Sequence, residues 1–391
     1  MEIINLFDNV NRTYDGPANH KESTFSFLSR SASKASNSVR AILEEWFTRY
    51  PDQHRLELRR RFQADFLVGF FELLLHELLL RFNHKVEVNP PLPPPQRTRP
   101  DYRATSETTN SVYLEATVVT DESKEEKARN KVLSTLYDQI DQLEIPDYFL
   151  RIKEIRNSTG RQPSGKRVKQ FLRKCLEDLD YDDLTAISHL GAINYLPTWT
   201  YKQEEIEIDF GVIPVSPENR GKLNHRFIGM YPACVRWGGT DSAIRAAIRK
   251  KATKFGQLDA PYIIAVNCVS KWGTDHIDEM QALFGTEEFV STNLNQQPQF
   301  RQKPDGIWFG PKGPRNRRIS GVIIAKVVPW NLPGAEICLY QNPWAYKPYQ
   351  GPLTSLPQTL VINGASKRLT GHSLGSIFSL AESWPGQLFE R

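Results

Sequence analysis

Two acidic residues, Asp101 and Glu115, are the positions of this chain best placed to do chemistry. Glu115 stands in the run Val112-Tyr113-Leu114-Glu115-Ala116-Thr117-Val118-Val119, which is apolar on both faces and reads as a central strand covered on both sides. With a period of two, Tyr113, Glu115, Thr117 and Val119 share one face of that strand. An ionised carboxylate there needs a cation, a donor or a metal beside it, because unpaired burial is costly. A turn at Ser106–Asn110 makes 100–119 a hairpin, so Asp101 can face the same side about one side chain away. Two carboxylates and a main-chain carbonyl suit a hard cation, Mg²⁺ or Mn²⁺.

The surrounding elements must hold these groups in place. From Arg61 to Phe82 the apolar density and the lack of proline predict one long, mostly buried helix. Glu77 and Arg81 form an i,i+4 pair suited to its wet face, which turns Asp65, Glu72 and His76 inward and supplies a third acid. A short strand at Lys85–Val88 and the prolines Pro90, Pro91, Pro93, Pro94 and Pro95 lead stiffly into Arg99–Ala104. Next come an amphipathic helix at Glu122–Leu143, a strand at Tyr148–Ile155 and a helix at Val168–Leu179, giving the order αβββαβ. Further on, the pattern predicts a strand at Glu205–Pro214, a helix at Asp241–Phe255, a strand at Tyr262–Asn267 and a helix at Asp275–Phe284. A hairpin pairing Asp305–Phe309 with Ile319–Val328 completes the pattern. The expected fold class is α/β, a mixed central sheet with helices on both faces. The expected division is a polar and helical arm over 1–60, a core over 61–160 and an α/β extension over 161–391.

The segment Phe71-Glu72-Leu73-Leu74-Leu75-His76-Glu77, then Val86–Val88, then Pro100-Asp101-Tyr102, then Val112-Tyr113-Leu114-Glu115-Ala116-Thr117, resembles the PD-(D/E)XK, restriction-endonuclease-like nuclease core over about 100 residues. The resemblance implies that Asp101 and Glu115 hold the metal and that Glu72 assists. It also implies a lysine two residues after the glutamate, where this chain has Thr117. Some members draw the lysine from the following helix, and of Lys124, Lys127 and Lys131 the last, about two turns in, can lean back over the strand ends. Pro304-Asp305 with Ile324-Ala325-Lys326 is a weaker echo without the acid, although Lys326 or Lys254 could reach a shared site in three dimensions.

Two motifs tempt and fail. Gly160-Arg161-Gln162-Pro163-Ser164-Gly165-Lys166-Arg167 matches GxxxxGK, yet Arg167 stands where a phosphate-binding loop needs Ser or Thr for its metal. Gly371-His372-Ser373-Leu374-Gly375 spells a nucleophile elbow, but no histidine follows it in the chain.

Charge distribution bears on partners. The net charge of +5 is only mildly basic, but nine Lys/Arg lie between Arg151 and Lys174 against one acid, Glu154. Two further clusters surround Arg245–Lys254 and Lys312–Arg318. Lys166, Arg167, Lys169, Arg249, Lys250, Arg315 and Arg317 are therefore the residues expected to grip a phosphate backbone. The four cysteines lie far apart without metal spacing and read as reduced core residues. No apolar run is free enough of charge to span a membrane, and no secretory leader is legible, which predicts a cytoplasmic protein. The expectation is a metal-dependent endonuclease acting on nucleic acid, DNA ahead of RNA, in a restriction or defence setting, as a homodimer or within a larger complex. The alternative is a catalytically inactive nucleic-acid-binding module, or a subunit of a larger assembly.

Overall fold

A computed structural model describes the chain except for residues 1–3, 95, 108–110, 121–123, 158–160, 224–225, 232–238, 270–273, 291–298, 363–364 and 387–391. Helices α1 (Thr24–Arg30), α2 (Lys34–Arg49), α3 (Asp52–Ala64) and α4 (Phe66–Arg81) precede strands β1 (His84–Val88), β2 (Tyr102–Ser106) and β3 (Val112–Thr120). Then come α5 (Lys124–Ile140), β4 (Tyr148–Asn157), α6 (Gly165–Glu177), α7 (Tyr181–His189), β5 (Thr198–Gln203), β6 (Ile206–Pro214) and β7 (Ile228–Met230). The remainder is α8 (Thr240–Ala252), β8 (Tyr262–Val269), α9 (His276–Phe284), β9 (Glu287–Val290), β10 (Gln299–Gln302), β11 (Phe309–Gly310), β12 (Gly313–Pro314), β13 (Gly321–Lys326), β14 (Glu336–Gln341), β15 (Gln358–Ile362), β16 (Ala365–Leu369) and α10 (Leu374–Phe378).

The protein is mixed α/β and divides into two compact units. One comprises residues 1–13, 32–121 and 236–391, and the other 14–31 and 122–235. The first is built on an eight-stranded sheet of order β1-β2-β3-β8-β13-β14-β15-β16. Strands β1, β2 and β3 are antiparallel neighbours, while β3 and β8 run parallel with Glu115 opposite Ile264. Parallel neighbours need a crossover, and α8 immediately precedes β8. The αβββαβ succession is thus α4-β1-β2-β3-α8-β8. The expected crossover helix at Glu122–Leu143 and strand at Tyr148–Ile155 are α5 and β4 of the other unit, whose separate sheet has order β5-β6-β4-β7. Local periodicity specifies these elements but cannot say which sheet they join, so the expected core over 61–160 stops at 121 and resumes at 236.

Side-chain alternation settles the layers. Tyr113 and Val119 of β3 join Ile264 and Val266 of β8, Val322 and Ile324 of β13, and Ile244, Ile248 and Ala252 of α8 in one core. Glu115, in phase with Tyr113 and Val119, therefore faces α8. On the opposite face, Tyr102 is paired with Leu114 and donates its hydroxyl to the Glu72 carbonyl of α4 at 2.9 Å. Helix α4 is apolar nearly all round, as a helix covered on several sides should be.

Three local expectations are corrected. The helix over 61–82 breaks at Asp65, whose exposed side chain caps α4 by accepting from Val68 N–H, so Asp65 does not point inward. Glu77 is 1 % exposed and lies between Arg49 and Arg81, each 2.8 Å from Oε1, because α2 adds a second guanidinium to the expected pair. The hairpin of Asp305–Phe309 with Ile319–Val328 does not form. Instead β13 lies between β8 and β14, while Asp305 accepts from Thr286 N–H and pairs with Arg245. Cys175, Cys268 and Cys338 are free thiols, and Cys234 lies outside the described residues. Among the described residues no helix is long and apolar enough to cross a membrane.

The α3–α4 corner is a close approach, since a Cβ on Gly69 would meet the Phe62 ring at 2.7 Å and its backbone nitrogen at 2.8 Å. Gly69→Ala should force the helices apart and destabilise the first unit by roughly 1–3 kcal/mol, as overpacking of a close contact does. Urea denaturation would measure it, and an unchanged midpoint would refute the tight corner.

Candidate functional site

Asp101 lies just before β2, one step beyond the Tyr102–Leu114 pair, at the level of Glu115 on the neighbouring strand. Its Oδ2 accepts from the Ala116 N–H at 2.7 Å, which fixes the carboxyl over the edge of β3. Burial, then the charge of Glu115, raises the Asp101 pKa, while the Ala116 hydrogen bond and the two lysines beside it act the other way. These are two mutually repelling carboxylates in a place of low water access.

Glu115 is fully buried. Its Oε1 accepts from Lys251 Nζ at 2.6 Å and Lys254 Nζ at 2.5 Å, while its buried Oε2 has no hydrogen-bond partner. Lys251 lies in the last turn of α8, where basic residues also complement the helix dipole, and Lys254 follows two residues beyond the helix end. Ile244, Ile248 and Ala252 anchor that helix in the core, which sets Lys251 beside the buried stripe. The Tyr262 hydroxyl bonds the Lys251 carbonyl at 3.3 Å, and the Thr98 hydroxyl bonds the Lys254 carbonyl at 3.3 Å. The lysine pair is therefore held at its backbone as well as its tips.

The lysine expected from the helix after β3 is not the one on Glu115. Lys131 is an exposed residue of the other unit, on α5, and the side chains of Lys124 and Lys127 lie outside the described residues. The cause is the insertion, because the next helix of this sheet is α8. Lys254, noted in the sequence as able to reach a shared site, does so, whereas Lys326 bonds Glu279 and Glu336 instead. Thr117 is half-buried on β3, in phase with Glu115.

Glu72 reaches the same region from α4. It is 7 % exposed and pairs with Arg61 Nη1 of α3 at 2.5 Å. Burial pushes its pKa up to about 7 against the pull of Arg61, with Asp101 adding to the rise. One turn on, His76 is also buried, its Nδ1 without a partner, between the rings of Tyr50 at 4.7 Å and Tyr102 at 6.1 Å. Burial, and secondarily Arg49, lowers its pKa to about 4.

The geometry can be tested against a metal. The partnerless Glu115 Oε2 and the nearby Asp101 carboxyl are hard oxygen donors, and Mg²⁺ commonly takes one or two carboxylates with water and substrate phosphate completing its shell. Among the described residues no group of three or more His, Cys, Asp and Glu is arranged to hold a metal. The donor set thus fits an ion carried by two carboxylates and no dedicated cage.

The residues expected to grip phosphate divide into two groups. Lys166, Arg167 and Lys250 are exposed, and Lys169 is half-buried with Nζ 3.2 Å from Gln142 Oε1. The others bond main-chain carbonyls: Arg249 that of Asp305, Arg315 those of Asp305 and Gly306, and Arg317 that of Trp344 while lying 4.4 Å over the Tyr346 ring. Arg315 in particular braces the 305–306 turn. The GxxxxGK run is also structural where it is described, with Ser164 capping α6 and Gly165 packed so closely that a Cβ would meet Gln139 Oε1 at 1.8 Å. Ser373 likewise caps α10.

Comparison of the chain with protein-family models, with curated proteins and with solved structures finds no match.

Two expected outcomes follow from the charges. Lys251→Met or Lys254→Met alone leaves one ammonium on Glu115, whereas the double variant strands a buried carboxylate, a loss on the order of 3–5 kcal/mol. The double loss should exceed the sum of the singles, and adding Glu115→Gln should recover most of it; additive losses in a denaturation cycle would show the pair to be unimportant. The second outcome concerns Glu72. Its folded pKa lies above the ordinary value of 4.5, so the native state holds an extra proton and stability falls as pH rises from about 4.5 to 7. His76, lowered from 6.5 to about 4, gives the opposite slope over much of that window. The difference between wild type and Glu72→Gln isolates the Glu72 contribution: the variant should gain relative stability from pH 5 to 8, and a flat difference would contradict the raised pKa.

Proposed function

We propose that this chain is a nuclease of the PD-(D/E)XK kind, hydrolysing phosphodiester bonds of nucleic acid, with DNA the expected substrate and Mg²⁺ or Mn²⁺ held by Asp101 and Glu115. The observation that carries the reading is a fully buried Glu115 on a central strand, beside a second carboxylate and under two lysine ammonium groups. Supporting it are the α4-β1-β2-β3-α8-β8 succession and the acid that α4 contributes in Glu72. When bound, the cation would lower the pKa of an attacking water and stabilise charge on the phosphate.

The remaining roles fall to the chain itself. Lys254, whose side chain is 31 % exposed against 20 % for Lys251, turns from Glu115 to a phosphate oxygen and supplies the positive charge that Thr117 cannot. Lys251 remains on Glu115 and holds its Oε1 in place. Glu72 is a positioning residue, bound to Arg61 and placed where it feels the Asp101 charge. A restriction- or defence-related setting in the cytoplasm, as a homodimer or within a larger complex, suits this activity.

A second reading is favoured by one observation. Two ammonium groups on a single carboxylate oxygen neutralise the acids without any metal, as a site that holds nucleic acid but does not cut it would allow.

The deciding assay incubates the full chain with plasmid DNA and with RNA in Mg²⁺, in Mn²⁺ and in EDTA. Cleavage should require the divalent ion, vanish in Glu115→Gln and fall about 10²–10³-fold in Lys254→Met, the range seen on removing one transition-state donor. Manganese should raise the melting temperature of wild type but not of Glu115→Gln. No cleavage of either polymer and no divalent stabilisation would leave the binding module as the reading.

A further inference from the structure

We infer that the outward face of α6, in the unit inserted between β3 and α8, is a contact surface for the phosphate backbone of nucleic acid, separate from the carboxylate site. The inference takes its ligand class from the proposed function but does not require cleavage.

Helix α6 has thirteen residues and a strongly divided surface. Val168 and Leu172 are fully buried in a core with Leu136, Ile140, Tyr201 and Phe210, and Phe171 packs edge-on against Tyr201 at 5.4 Å. At 100° per residue the other side carries Lys166, Arg167, Lys169, Arg173 and Lys174, with Glu177 its only acid. Among the described residues none of these five is paired with a carboxylate, and Lys169 meets only the neutral Gln142. Such a face repels itself, and by opposing helix formation it costs stability that an internal partner could have recovered.

Elsewhere in the same unit several cations are neutralised. Arg156 bonds Glu154, Glu207 and Asp209; Lys202 bonds Glu207 at 2.7 Å; Arg220 bonds Asp182 and lies 4.0 Å over the Tyr181 ring. The acids of these pairs lie on its sheet and on α7, whereas the α6 cations have none among the described residues. That segregation, more than the number of charges, identifies the partner as a polyanion.

The chemistry narrows the polyanion. No apolar side chain shares the basic face, so α6 lacks the buried half that holds an amphipathic helix in a lipid surface. From Lys166 to Lys174 the helix advances about 12 Å, the rise of three to four steps of duplex DNA at about 3.4 Å each. Lysine and arginine ends on that scale can meet successive phosphates without reading bases.

The test measures binding of the full chain to a short fluorescent DNA duplex in EDTA over a range of salt. Lys166→Glu, Arg167→Glu, Arg173→Glu and Lys174→Glu together should weaken binding at least about tenfold at low salt and reduce the log–log salt slope by roughly 2–3, at about 0.9 per phosphate contact. Circular dichroism and melting check the fold; if the fourfold variant misfolds, Arg167→Gln with Lys174→Gln should still lower the slope by about 1–2. The inference is overturned if a folded variant reproduces the parental slope and affinity, if the parent does not bind the duplex, or if these residues bind phosphatidylserine vesicles in its place. Because EDTA removes cleavage from the measurement, an intact α6 effect in a chain that never cuts would sink the catalytic reading and leave this one standing.

Discussion

The organisation of the first unit turns on one buried charge. Glu115 is set within the apolar β3, where an unpaired carboxylate would be intolerable, and its charge is compensated at Oε1 by Lys251 and Lys254. This compensation requires α8 to end where it does. It also requires β8 to lie beside β3, so that the helix preceding it covers the face on which Glu115 points. Core packing through Ile244, Ile248 and Ala252 thereby becomes a condition for ion pairs whose partners lie 136 and 139 residues apart in the sequence.

Behind the sheet a second set of polar groups is arranged by α3 and α4. The break at Asp65 lets α3 fold back so that Arg61 meets Glu72, and the close contact of Gly69 with Phe62 keeps that corner tight. Asp101 lies where both arrangements are felt: beyond the effect of burial at each, its charge adds to the rise of the Glu72 pKa and the charge of Glu115 adds to its own. Three acids in weakly hydrated surroundings are thus coupled electrostatically although they come from a helix, a strand entrance and a strand centre. Arg61 on one side and the lysine pair on the other prevent the repulsion among them from dominating.

The inserted unit treats charge differently. Its sheet carries Arg156 neutralised by neighbouring acids, whereas α6 keeps its cations outward and buries only its apolar stripe. Several basic residues that look equivalent in the sequence are thereby separated into classes. Arg315 and Arg317 stabilise turns through main-chain carbonyls, Lys251 and Lys254 answer Glu115, and the α6 residues face solvent.

The sequence by itself determined the α/β class, the hairpin of β2 and β3, and the demand for a cation, a donor or a metal beside Glu115, because period-two burial and the cost of an unpaired charge are local properties. It also placed Asp101 beside that residue, since a hairpin's register follows from its turn. What only the tertiary structure decided was the origin of the positive charge. Residues 122–235 read as a continuation of the same α/β alternation, so Lys131 looked like the next lysine in line, while the helix that covers β3 lies beyond the insertion. Periodicity specifies that a segment is a helix and which side is apolar, but it carries no information on which sheet that side will cover. The burial of Glu77 and the Arg61–Glu72 pair escaped for the same reason, each depending on a guanidinium brought in by a neighbouring helix.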